Sequence, residues 1–309
     1  MQHVPRYRLD LLMLLAALIW GSAFVVQRWS LGVIGPVFFT GLRFLVGALV
    51  ISLVRPLLLS KTSLPVAPRA TGSQSRLWLA AALLGGLLAL AISLQQIGLQ
   101  YTKIANAGFI SSLYVVIVPL VGVLLRQKNR ANIWIGALFS VCGMYFLSGQ
   151  ADFGLLRGDI YQLACALIVS AQVLLLSRFA PHHEPLALAR AQFIACGVFC
   201  LLAALWVEPV NLSQIVDAAP AILYGGALSV GVGYTIQVIA QKRATAARAA
   251  VIFSMEGLFA AFFAWAALDE NLSPRTLFGC ALMLGGLLAC QLNFTRGGAT
   301  HRDQASKTS

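Results

Sequence analysis

Apolar residues run along this chain in long blocks, and the charges collect between them. Ten blocks stand out, at approximately 9–29, 33–54, 77–99, 104–125, 131–149, 158–177, 187–207, 218–240, 246–268 and 276–293. Each is close to the roughly 17–25 residues that a helix needs to cross a hydrocarbon layer about 30 Å thick. Lipid offers backbone N–H and C=O groups no partner, so a crossing segment must bond within itself. The blocks therefore predict ten transmembrane helices and an all-α membrane protein. Short strands of alternating polarity, the pattern of a membrane barrel, are not seen in the sequence.

Composition agrees. The chain is 59% hydrophobic and 10% charged, whereas globular domains carry about 25% charged residues. Its net charge of +12 would suit a nucleic-acid partner if the bases shared one face. They do not. With the N-terminus inside, the inner segments hold sixteen bases, among them Arg55, Lys61, Arg126, Lys128, Lys242, Arg243 and Arg248. The outer segments hold four, Arg28, Lys103, Arg157 and Arg275, together with the acids Asp152, Asp159, Glu208, Asp217, Asp269 and Glu270. This is the positive-inside pattern, which places both termini in the cytoplasm and leaves no role for nucleic acid. The first block is too long for a signal peptide and reads as a retained helix. The six cysteines fall inside the blocks without metal-ligand spacing and read as packing residues.

The blocks also repeat. "GALFSVCGMYFL" from Gly136 matches "GCALMLGGLLAC" from Gly279, each with a second glycine seven residues on, at Gly143 and Gly286. "ANAGFI" from Ala105 matches "ARAAVI" from Ala247, and "ALIWGS" at 17–22 matches "ALIVSA" at 166–171. Gly85, Ala89 and Ser93 recur as Gly225, Ser229 and Gly233. These matches keep their order at an offset of 140–149 residues. The chain thus reads as two five-helix repeats, 9–149 and 158–293, followed by a polar cytoplasmic tail, 294–309. Five is odd, so the second copy inserts upside down, as in secondary transporters whose substrate site lies between inverted copies. Pro119, inside the fourth block, frees the Val115 carbonyl and predicts a kink.

"LIWGSAFVV", "GLRFLVGAL", "TKIANAGFISSL" and "ATAARAAVIFSMEGLFAAFFAWAALDENLS" together resemble the drug/metabolite transporter superfamily, EamA type. The similarity covers 9–293. It implies ten helices in two inverted repeats around a central cavity, export of amino acids or other small metabolites, and a bacterial inner membrane. Where the family commonly has proline after an acid in the ninth helix, this chain has Gly257 after Glu256. Whether the helix breaks there stays open.

Candidate chemistry is sparse. Glu256 lies ten residues into the ninth block, roughly 15 Å deep at 1.5 Å per residue. Arg43 lies at similar depth in the second. A charge at the bilayer centre costs about 2.5–3.5 kcal/mol on insertion scales, so both must face protein or water. The repeat sets Tyr114 opposite Glu256 and Gln192 opposite Arg43. Three roles stand open: a structural ion pair, binding of a zwitterionic or charged small-molecule substrate, and proton carriage by Glu256. Other polar residues expected around the same space are Trp20, Ser22, Gln95, Gln96, Asn106, Ser111, Gln172, Tyr234 and Gln237.

Rival classes have less behind them. There is no HExxH motif, no Gly-x-Ser-x-Gly elbow and no pair of carboxylates within the blocks, so an enzyme is not expected. His182, His183 and Glu184 read as a polar turn, and no cofactor is implied. A channel would show a ring of charge or a carbonyl filter motif; a non-transporting scaffold is the remaining alternative from another class. Among carriers, an organic or phosphorylated anion exchanger is the alternative, using Lys242, Arg243 and Arg248. Without a nucleotide-binding motif, the drive has to come from a gradient or from the substrate's own concentration. Oligomeric state is not legible.

Overall fold

A computed structural model describes residues 6–61, 74–126, 131–148, 157–209, 211–268 and 273–291. The polar tail 294–309, most of "RQKNR" and the Asp269–Glu270 pair lie outside the described residues.

All regular structure among the described residues is helical. In chain order the helices are α1 (Arg6–Ser30), α2 (Pro36–Lys61), α3 (Gln74–Gly98), α4 (Ile104–Ser111), α5 (Tyr114–Leu124), α6 (Ala131–Ser148) and α7 (Arg157–Phe179). There follow α8 (Pro185–Val207), α9 (Ser213–Asp217), α10 (Ala219–Leu223), a π-helical stretch (Tyr224–Tyr234), α11 (Thr235–Gln241), α12 (Ala246–Phe253), α13 (Met255–Leu268) and α14 (Pro274–Gln291). Eight spans among them are long and apolar enough to cross a membrane, and α6 and α14 carry shorter apolar stretches, Ala131–Gly143 and Leu277–Ala289. Leu53, Leu79, Leu124, Leu205 and Trp206 lie exposed on the outer faces of the bundle, as lipid-facing side chains do.

Local signals set the helix ends. Proline opens α2, α8 and α14, at positions where a helix has no intrahelical use for the N–H. Glu184 caps α8 with both carboxylate oxygens, accepting from the N–H groups of Leu186 at 2.9 Å and Ala187 at 2.7 Å. Gly32, at φ +84°, turns the chain from α1 into α2.

Packing follows the repeat. α6 lies along α14 and α2 along α8, each helix against its counterpart in the other half. The other large contacts come in exchanged couples. α3 meets α8 as α2 meets the π-helical stretch, and α1 meets α12 and α13 as α7 meets α4 and α5. A two-fold relation between the halves produces this arrangement. The repeated glycines explain how the helices approach so closely. A Cβ on Gly143 would stand 2.6 Å from the Gly279 carbonyl oxygen, and one on Gly286 would stand 2.8 Å from that of Gly136.

Two spans are interrupted near their middle, at equivalent places. The fourth breaks between α4 and α5, where Val115 N–H bonds to the Ser112 carbonyl at 3.0 Å. The ninth breaks at Ser254, where Gly257 N–H bonds to the Ser254 carbonyl at 3.2 Å. Pro119, where the sequence predicts a kink, sits within α5, and the interruption of the span comes earlier. No proline serves the matching break. Each break instead tightens the helix to three-residue bonds.

Candidate functional site

A cavity opens between the halves, with about 600 Å³ of free space that includes its opening to the outside. Arg43, Glu256, Trp20, Gln95, Tyr114, Tyr234 and Gln237 all line it, as do Ser111 and Gln172. Gln96, Asn106 and Ser22, expected around the same space, do not line it, and neither does Gln192, the repeat counterpart of Arg43. Gln96 is buried behind the wall and donates to the Gln27 carbonyl and the Ser30 hydroxyl, both at 3.1 Å. Ser22 bonds Tyr224 Oη at 2.6 Å, joining α1 to the π-helical stretch. Asn106 and Gln192 are buried outside the cavity wall.

Arg43 comes from the middle of α2 and is only 2% exposed. Its guanidinium lies over the rings of Phe39 and Phe44, at 5.3 and 5.8 Å from their centroids. Nε has no hydrogen-bond partner. Room for the side chain comes from Gly225, whose Cβ would stand 3.2 Å from Arg43 Cδ.

Glu256 enters from the first turn of α13, just past the break at Ser254. Its Oε1 accepts hydrogen bonds from Tyr114 Oη at 3.0 Å and Ser112 Oγ at 3.3 Å. The ion pair with Arg43 that the sequence left open is not formed. Elsewhere Arg55 pairs with Glu184 at 3.3 Å and Arg248 with Asp10 at 2.6 Å.

Between these two charges stands an aromatic wall. Trp20 packs on Tyr234 and Phe253 at centroid distances of 4.8 and 5.1 Å, and Phe44 on Tyr234 at 5.5 Å. Trp20 Nε1 donates to the Ser229 carbonyl at 3.2 Å, within the π-helical stretch. Gln237 and Gln172 meet at 3.4 Å, leaving Gln237 Oε1 and Gln172 Nε2 without partners. Buried polar atoms are ordinarily satisfied. Gln27 Oε1 and Arg43 Nε, on two other lining residues, also lack partners.

Sequence reasoning missed Gln27, Cys165, Ser229 and Phe253, which also line the cavity. Gln27 had a signal: it is two helical turns after Trp20, on the same face. Cys165 had none, being indistinguishable in sequence from a packing residue.

The cationic cluster at the start of the ninth span takes a different form from the one expected. Arg248 is held by Asp10 through two bonds, Nε–Oδ1 at 3.1 Å and Nη2–Oδ2 at 2.6 Å. Lys242 Nζ donates to the His183 carbonyl at 3.3 Å. Two of the three cations thus have protein partners. Among the described residues no group of three or more His, Cys, Asp and Glu is placed to hold a metal ion.

Helical spans enclosing a cavity between two related halves define a multi-pass membrane protein. The profile of the EamA-like transporter family matches residues 8–149 and again 156–290, and the chain belongs to this family, a member of the drug/metabolite transporter superfamily. It is 32% identical over 294 residues to an uncharacterized transporter of Archaeoglobus fulgidus, covering 94% of this chain and 88% of that one. It is 21% identical over 285 residues to the uncharacterized transporter YoaV of Bacillus subtilis, covering 90% and 95%. A crystal structure of a protein 22% identical superposes with a TM-score of 0.74 over 93% of this chain and 97% of the other, a likeness of fold. The family is one of transporters.

Proposed function

We propose that this chain is a secondary transporter that exports small metabolites, amino acids foremost, by alternating access. Its ten helices form two inverted repeats, 9–149 and 158–293, which rock about the cavity and expose it to one side at a time. The observation that carries this reading is the cavity between the halves, with the unpaired Arg43 guanidinium and the Glu256 carboxylate both facing it. An amino acid offers a carboxylate to the first and an ammonium to the second. The aromatic wall between them takes an apolar side chain. Protons are the coupling ion in this reading. The positive-inside charge pattern supports a bacterial inner membrane with both termini cytoplasmic.

Counterflow tests it. Proteoliposomes preloaded with one unlabelled amino acid should transiently concentrate the same labelled amino acid from outside. Equilibration without overshoot for all twenty would reject an amino-acid carrier.

One observation favours a second reading, an organic-anion exchanger: Arg43 has no carboxylate against it, so the free cation could serve an anion alone. Counterflow of mono- and dicarboxylates, and none of amino acids, would select it.

A further inference from the structure

Tyr114 and Glu256 hold equivalent places in the two repeats, at an offset of 142 residues, and they are hydrogen-bonded to each other at 3.0 Å. Two positions exchanged by a two-fold relation can touch only close to its axis. The bond therefore lies at the centre of the molecule, where the halves turn against one another. The surroundings agree. Ser112, at the break of the fourth span, also donates to Glu256 Oε1, at 3.3 Å, and its counterpart Ser254 marks the break of the ninth. Just beside them Gly108 and Gly257 bring the two backbones together, since a Cβ on Gly108 would stand 3.3 Å from Gly257 Cα. The interrupted helices thus cross at their interruptions. One carboxylate from the second half, gripped by two hydroxyls of the first, spans the crossing.

We propose that the Tyr114–Glu256 bond, with Ser112, is a latch between the repeats, and that the transported solute opens it with a cationic group. Tyr114 and Ser112 are positioning residues: they act through Glu256. Tyr114 and Glu256 line the cavity, with Ser112 buried behind them, so an ammonium group arriving beside Glu256 competes with the hydroxyls for Oε1. Once both hydroxyls, of Tyr114 and Ser112, are displaced, the carboxylate no longer ties the two breaks together, and the halves are free to reorient. A solute without a cation leaves the latch closed. This gives Glu256 a role apart from affinity, because the energy of binding is directed into releasing a contact between halves. The proposal rests on the alternating-access reading, but its test uses no solute.

Cys165 provides the readout. It lines the cavity and is fully buried, so a small polar thiol reagent reaches it only when the halves part. Cys196 is equally buried, away from the cavity, and reports general loosening. The purified protein in detergent, where the reagent reaches both ends of the bundle, is treated with a methanethiosulfonate reagent, and each cysteine is followed by mass spectrometry. Tyr114→Phe should speed labelling of Cys165 roughly tenfold, the worth of one hydrogen bond to a charged acceptor, with Cys196 unchanged. Ser112→Ala should give a smaller gain, and Thr40→Ala, which removes a bond inside α2 at 2.8 Å, none. Because the groups act together, Tyr114→Phe with Glu256→Ala should label no faster than the quicker single variant. Unchanged Cys165 labelling in Tyr114→Phe would overturn the latch, as would an equal gain at Cys196 or additive effects in the double variant. Absence of amino-acid counterflow in the wild type would overturn the transport reading and leave this result standing.

Discussion

The carboxylate of Glu208, at the end of α8, accepts hydrogen bonds from the backbone N–H groups of Val37 at 2.8 Å and Phe38 at 2.9 Å, in the first turn of α2. One helix is thereby capped by an acid from the opposite half of the chain. The N–H groups of a first turn have no partner within the helix, and its dipole favours an anion there. At the other end of the same helix pair, Glu184 caps α8 and pairs with Arg55 of α2 at 3.3 Å. Both ends of the α2–α8 contact are pinned by glutamate.

Glu208→Ala should therefore lower stability by about 1–3 kcal/mol, since two N–H groups lose a charged acceptor. Glu208→Gln, which keeps one acceptor oxygen, should lose about half as much. Thermal unfolding in detergent measures both. A loss no larger than that of an exposed glutamate would show that the cap is idle.

The glycine contacts give a prediction with opposite signs. Gly143→Val and Gly286→Val each drive a side chain into the partner's backbone and should cost about 1–3 kcal/mol apiece. Because the two sites are equivalent, the losses should be similar. Gly86 has only Phe199 near it, at 3.6 Å, so Gly86→Ala should be neutral or stabilise by up to ~1 kcal/mol through helix propensity.

Asp10 and Arg248 tie α1 to α12 and so join the halves near the N-terminal end of the bundle. Asp10→Asn and Arg248→Gln should each destabilise, and the double variant should fall short of their sum by about 0.5–3 kcal/mol. The exchange Asp10→Arg with Arg248→Asp should recover part of the loss. Strict additivity in unfolding measurements would show that the pair contributes nothing.

For Arg43 stability and function should part. An unpaired cation buried among aromatic rings opposes folding, so Arg43→Met should raise the unfolding temperature while abolishing transport. Arg43→Lys keeps the charge but loses the planar fork and the stacking on Phe39, and should transport weakly. A methionine variant that unfolds earlier would assign Arg43 to structure.

Much of this was legible in the sequence because lipid restricts the choices. Once a segment must cross, it must be helical, and the repeated glycines at 136, 143, 279 and 286 marked the two copies, although that they bring α6 against α14 is seen only in the structure. Depth disclosed Arg43 and Glu256, since a charge at mid-membrane has to face inward. Direction around the helix axis was harder. Gln95 and Gln96 are neighbours, yet one faces the cavity and the other is bonded behind it to Gln27 and Ser30. Without a sharp apolar face, nothing local separates them. The break at Ser254 was equally hidden, because it depends on packing at the crossing with α4 and not on a proline. The π-helical stretch at Tyr224–Tyr234 is of the same kind: its glycines permit the wider turn, and the contacts of Trp20 and Arg43 make use of it.

The central claim, that the cavity carries small metabolites outward, is tested most directly by the metabolites found outside cells. The extracellular profile of cells expressing this chain is compared with that of cells expressing Arg43→Gln at equal membrane levels. A few related amino acids should accumulate outside with the wild type and return to the empty-vector level with the variant. Identical profiles for wild type, variant and empty vector would contradict an exporter built around Arg43.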